Sequence, residues 1–201
     1  IKSTLNNRKG LPKAEYSQEV QGVKYNHHPR KTSLTLEKVN TITFEKTKQI
    51  YQERFANAGD FTFIFTGDID LEKLKPLVET YIASLPTTGV KQEYKDNHVR
   101  YAKGKIIRHI EKELTTDKAS ISVLYTAKLP YSAENKILSA AFRYILRDRY
   151  MKSIREEKGG AYSVSVNATE EAVPTNQITI EVNFDTAPFM ADEMLAIVQK
   201  E

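Results

Sequence analysis

At 201 residues, 40% of them hydrophobic, the chain can hold one large domain or two small ones, each around a real core. It contains no Cys, which excludes disulfides and thiolate metal sites and fits a cell-envelope location, and no apolar run reaches the roughly 18 residues of a membrane-crossing helix. A balance of 30 basic against 26 acidic residues leaves a net charge of +4, so the charge implies no nucleic-acid partner.

Residues 1–24 are polar and weakly periodic, and Gly10, Pro12 and Gly22 interrupt them, which predicts loop with a short helix around 14–20. His27 and His28 follow. Adjacent imidazoles rarely ligate one ion, zinc helices space their His residues three or four apart, and neither H-x-x-E-H nor H-E-x-x-H occurs, so both are expected in a surface loop. Thr43 is the expected cap of a helix reaching Ala56, with Phe44, Thr47, Ile50, Tyr51 and Phe55 on its inner face. Residues 61–66 alternate as a strand with Phe61, Phe63 and Phe65 on one side. Asp70 then caps a strongly periodic helix from Leu71 to Leu85, which Pro76 should bend. Gly67-Asp68 lacks the glycine fingerprint of a phosphate loop and reads as part of the cap.

The polar stretch 87–104 separates two structured blocks and is the expected linker between domains at 1–86 and 105–201. Residues 105–110 and 119–125 read as strands, and His98 and His109 have no partners at ligand spacing. Ser132 opens a helix of about 25 residues with an apolar stripe at Leu138, Ala141, Phe142, Ile145, Met151 and Ile154. Gly159-Gly160 ends it, and a strand begins at once with Tyr162, Val164 and Val166 on one face. A loop containing Pro174 joins this strand to another at 177–184, whose Ile178, Ile180, Val182 and Phe184 point inward, so the two form a hairpin. A final helix opens at 185–188 and places Met190, Met194, Ile197 and Val198 on one face. Strand, Asp-containing turn and amphipathic helix thus occur twice, at 61–85 and 177–199. The expected fold class is α+β, with antiparallel or mixed sheets covered by helices on one face.

The corner at 155–162 carries the chemistry. Arg155 falls in the last turn of the long helix and Tyr162 just past the glycines, so two strong donors flank one sharp turn and could converge on an extended ligand. Taken singly, an Arg at a helix C-terminus and a Tyr on a strand are ordinary structural choices. The charges around them, from Arg147 to Lys158, alternate in sign and read as a solvated face rather than a nucleic-acid surface. Glu156 and Glu157 are adjacent, hence on different helix faces, and do not form an acid/base pair.

The run Arg155-Glu156-Glu157-Lys158-Gly159-Gly160-Ala161-Tyr162-Ser163-Val164 resembles the C-terminal signature of the insulinase/pitrilysin family, the inverted zinc metallopeptidases. The block 55–86, FANAGDFTFIFTGDIDLEKLKPLVETYIASLP, is similar to the segment that closes the preceding domain in bacterial, periplasmic-type members. The likeness extends over about residues 25–200. It implies homologous α+β domains, zinc in the parent enzyme, and a peptide substrate whose backbone is held by an Arg and a Tyr, here Arg155 and Tyr162. The zinc ligands and the catalytic Glu are absent from this chain, so it is expected to bind no metal and to be inactive alone. Its partners would be N-terminal catalytic domains of the same chain or a partner subunit, in the bacterial periplasm or envelope. Some relatives are inactive structural or partner subunits, which is the alternative role. With no initiator Met and a stop within a predicted helix, the chain reads as an excerpt, and any signal peptide or lipid anchor would lie outside it.

Overall fold

The computed structural model describes residues 1–201. Along the chain lie α1 (Lys2–Arg8), α2 (Pro12–Lys24), α3 (Leu36–Asn40), α4 (Phe44–Phe55), α5 (Leu71–Tyr81), β1 (Ala119–Lys128), α6 (Ala133–Tyr150), β2 (Val164–Glu171), β3 (Gln177–Thr186) and α7 (Ala191–Lys200). They form two compact units, one of Ile1–Asn7 with Leu34–Asn97, the other of Arg8–Ser33 with His98–Glu201.

The first unit is helical. Thr43 caps α4 by accepting from the Lys46 amide at 3.2 Å, and Asp70 caps α5 by accepting from Glu72 and Lys73 at 3.0 and 3.2 Å. Pro76 sits inside α5. The strand expected at 61–66 does not form, because no second segment lies beside it to take up its backbone hydrogen bonds. The expected inner face of α4 is likewise open, with Phe44, Ile50, Tyr51 and Phe55 all exposed. Asn57 organises the unit's connections. Its side chain donates to the carbonyl of Val90 at 2.6 Å and to Asp60, and it accepts from the amides of Gly59 and Thr88 and from the Thr87 hydroxyl.

The second unit is built on an antiparallel sheet of order β1-β3-β2. Val182 is its centre, opposite Val123 of β1 and Val166 of β2. The expected hairpin is present as β2 and β3, and its Val164, Val166, Val182 and Phe184, with Ile180 packed against them, join Leu146, Tyr150 and Ile154 of the long helix and Met194 and Val198 of α7 in one core that Ile178 does not enter. The Tyr150 hydroxyl donates to the Val198 carbonyl at 3.1 Å and ties α6 to α7. This is the α+β arrangement of helices on a sheet. Ser132 caps α6 through the Asn135 amide at 3.0 Å.

Three expectations need correction in this unit. The apolar arc of α6 is wider than the sheet can cover: Leu146 and Tyr150 are buried, whereas Leu138, Phe142 and Ile145 of the expected stripe are exposed. Residues 105–110 form no strand, again for want of a partner. Finally, residues 1–24, expected to be loop apart from a short helix around 14–20, are mostly helix, with α1 ahead of it and α2 extending the expected helix in both directions. Pro12 stands at the first helical position of α2, where its missing N–H costs nothing, and long-range bonds hold the helix: the Tyr16 hydroxyl donates to the Ser120 carbonyl at 3.1 Å and Lys24 pairs with Glu181.

Candidate functional site

The long helix does not run into the glycines as a regular α-helix. From Met151 to Glu157 it widens into a π-helical turn, a distortion that recurs at functional positions, and this turn carries Arg155. Ile154, fully buried, anchors it to the core while Arg155 stays exposed. Gly159 has φ +61°, the left-handed conformation that reverses the chain, and the Gly159 and Gly160 amides donate back to the carbonyls of Arg155 and Ile154 at 3.0 and 2.8 Å. Lys158 braces the outside of the corner through an ion pair with Glu193 of α7 at 2.8 Å, and that hydrogen bond holds the ammonium pKa above its usual value.

The reversal brings the two sequence-predicted site residues together. The Arg155 guanidinium carbon lies 5.2 Å from the centroid of the Tyr162 ring, within cation–π range. Tyr162 precedes β2 rather than lying within it and is 86% exposed, while Val164 and Val166 alone occupy the buried face. Both polar tips are therefore available to a ligand, with the ring serving to orient the guanidinium.

Immediately beyond Tyr162, a groove of about 340 Å³ runs between α6 and the outer edge of β2. Arg143, Tyr144 and Arg147 form the helix wall, and residues 163–167 form the strand wall. In the sequence Arg147 reads as one charge of a solvated face, and Arg143 stands outside that charged run. Their spacing of four along one helix was the available signal.

The His residues do not assemble. His28 accepts from the Arg30 amide through Nδ1 at 3.2 Å, and His27 lies against Gly22. His27 and His109 line a second hollow with Glu15 and Glu19, but Glu15 is engaged by Lys112 at 2.6 Å. No group of three His, Cys, Asp or Glu side chains is placed to hold a metal ion. The residues present do not fit a zinc site. No helix is long and apolar enough to cross a membrane.

The family described as the peptidase M16 inactive domain matches residues 41–201. The chain belongs to this family. A probable zinc protease PqqL of Haemophilus influenzae is 25% identical over 165 residues, covering 81% of this chain and 17% of that protein. Its Escherichia coli namesake is 24% identical over 163 residues, covering 74% and 16%. The chain thus spans about a sixth of these curated relatives. Among solved structures, the periplasmic protease PqqL from Escherichia coli superposes with a TM-score of 0.86 at 20% identity, over 99% of this chain and 22% of that one. A peptidase M16 inactive domain from Pseudomonas fluorescens gives 0.72 at 21% identity, over 99% and 48%. These likenesses show that the fold is that of an M16 inactive domain.

Proposed function

We propose that this M16 inactive domain is the substrate-gripping portion of a zinc metalloendopeptidase, and that Arg155 and Tyr162 hold the substrate backbone. The observation that carries the reading is the corner itself, where a π-helical turn anchored by the buried Ile154 and a left-handed glycine set an exposed guanidinium over an exposed phenol ring. Both groups donate hydrogen bonds, and a peptide carbonyl gaining negative charge in the transition state is the acceptor such donors stabilise most. The zinc and the carboxylate that assists it belong to catalytic domains outside this chain, where the metal would supply an activated water. This chain's own residues bind and orient.

Supporting a role within a larger protein, large apolar side chains lie open on both units, among them Phe44, Tyr51, Ile64 and Leu71 on one and Ile137, Leu138 and Ile145 on the other. We assign residues 1–86 to the end of one M16-like domain and 105–201 to the start of a second, joined by 87–104. Passage from one compact unit to the other between Asn97 and His98 supports the division at that point, whereas residues 8–33 pack in the same unit as 98–201 and not with the rest of 1–86. We place the parent protein in the bacterial periplasm or envelope, a reading supported by the periplasmic PqqL relative.

The test uses the full-length protein. Arg155→Ala should lower kcat/KM for peptide hydrolysis about ten- to a hundredfold, since a charged hydrogen bond is worth roughly 1.5–3 kcal/mol, with zinc content unchanged. Tyr162→Phe keeps the ring beneath the guanidinium and removes only the hydroxyl, so its loss should be smaller. The double variant should lose less than the product of the two, because both grip one substrate segment. Full turnover in both single variants with a lowered Tm would make the pair structural. A parent with no zinc-dependent peptidase activity would instead be an inactive partner subunit.

A further inference from the structure

We infer that the groove between α6 and the free edge of β2 takes an extended, acidic peptide segment as an added strand, with Arg143 and Arg147 reading carboxylates at alternate positions. The inference rests on the Arg155–Tyr162 corner being a peptide grip, and it names the chemistry of what that grip holds. Because the sheet order is β1-β3-β2, one edge of β2 has no neighbouring strand and offers unpaired backbone donors and acceptors to an extended chain. That edge starts just past Tyr162, at Val164, so a peptide held at the corner has the start of the edge beside it.

The helix wall sets the preference. Arg143 and Arg147 are both exposed, face the groove, and have no carboxylate partner in the chain. No acidic residue lines the groove. Four helical residues advance about 6 Å, close to the roughly 6.7 Å between side chains two residues apart on an extended strand. Two carboxylates at alternate positions of an added strand therefore match two guanidiniums one helical turn apart, each able to bind as a planar fork. Val164 and Val166 point into the core, and the small polar Ser163 and Ser165 are exposed between them, so no bulky side chain of β2 blocks the approach.

The experiment is binding of fluorescein-labelled decapeptides to the full-length protein, in chelator to prevent turnover, with hydrogen exchange read at the amides of 163–167. The probes alternate Thr with Glu, Gln or Lys. The Glu peptide should bind tightest, protect amides within 163–167, and lose its advantage at high salt. Charge reversal at both positions, Arg143→Glu with Arg147→Glu, should weaken the Glu peptide by roughly tenfold or more relative to the Lys peptide at unchanged Tm. Equal affinity for the Glu and Gln peptides would overturn the inference, as would a charge preference untouched by the reversal. So would protection, before any peptide is added, of those amides in 163–167 that do not pair with β3, since the free edge would then already be covered. Any of these results would leave the loss of kcat/KM in Arg155→Ala standing, so the charge preference can fail without the grip failing.

Discussion

Gly159 and Gly160 form one dipeptide but answer to different constraints. Gly159 needs its backbone freedom: at φ +61° a side chain costs about 1–2 kcal/mol, although nothing lies within 4 Å of where its Cβ would be. Gly160 needs space. A Cβ there would lie 2.1 Å from the sulfur of Met194 and 3.0 Å from its Cγ, and Met194 is fully buried, so it has no solvent to swing into. Gly160→Ala should therefore be as damaging as Gly159→Ala or more so, at about 1–3 kcal/mol by denaturant unfolding. It should also widen the Arg155–Tyr162 spacing, because α7 and the corner must move apart. Replacing Met194 by Ala in the same chain should recover part of the loss. A Gly160→Ala variant of undiminished stability would show that the approach of α7 to the corner is looser than described. The sequence alone announced a chain reversal at these glycines and brought Arg155 close to Tyr162. It could not say which glycine serves conformation and which serves packing, since Met194 is distant in the chain.

Elements whose signals are local were readable from the sequence, and those that need a distant partner were not. Thr43, Asp70 and Ser132 were each identifiable as caps because the group they bind lies within three residues. Residues 61–66 alternate and 105–110 are rich in β-branched Ile, yet such patterns describe a surface and not a pairing, and neither segment belongs to the sheet. At α2 the sequence indicates only a short helix around 14–20, and its full span of 12–24, held against the sheet by Tyr16 and Lys24, does not show in its weak periodicity. Where strands do pair, Asp185 closes the end of the β1–β3 ladder opposite Ser120. Partial burial pushes its carboxyl pKa up, but hydrogen bonds from Ser120 at 2.6 Å and Lys118 at 2.9 Å, with the charges of Lys118 and Lys13, outweigh this and hold it below 3.8. With the folded pKa depressed, its stabilising contribution is complete above the unfolded value and is lost as pH falls through the folded one. Thermal unfolding from pH 6 down to 2 should show a loss below about pH 4 that is shallower in Asp185→Asn. Identical acid limbs for the two proteins would remove Asp185 from the account.

The chain crosses between its two compact units three times, and this makes the segment expected as a linker uneven. Residues 87–92 are fastened within the first unit: Asn57 holds Thr87, Thr88 and Val90, Asp60 accepts from the Gln92 amide at 3.0 Å, and Gln92 also meets Arg54. Residues 99–102 are fastened in the second unit, where Tyr101 stacks on Tyr25 with centroids 4.6 Å apart and the Ala102 amide donates to the Lys24 carbonyl. Between these anchors Lys95 is exposed in a stretch without regular structure. Brief trypsin treatment should therefore cut after Lys95 well before Lys91, although only four residues separate them, because cleavage requires local release of the backbone. Asn57→Ala should abolish the difference by freeing 87–90, leaving Lys91 about as sensitive as Lys95. The cut halves should stay together in native buffer, since residues 8–33, on the N-terminal side of the cut, belong to the same compact unit as 98–201. Separation of the halves on size-exclusion chromatography would mean that α2 holds to the sheet too weakly to count as part of that unit, and that the Tyr16 and Lys24 contacts do not support it.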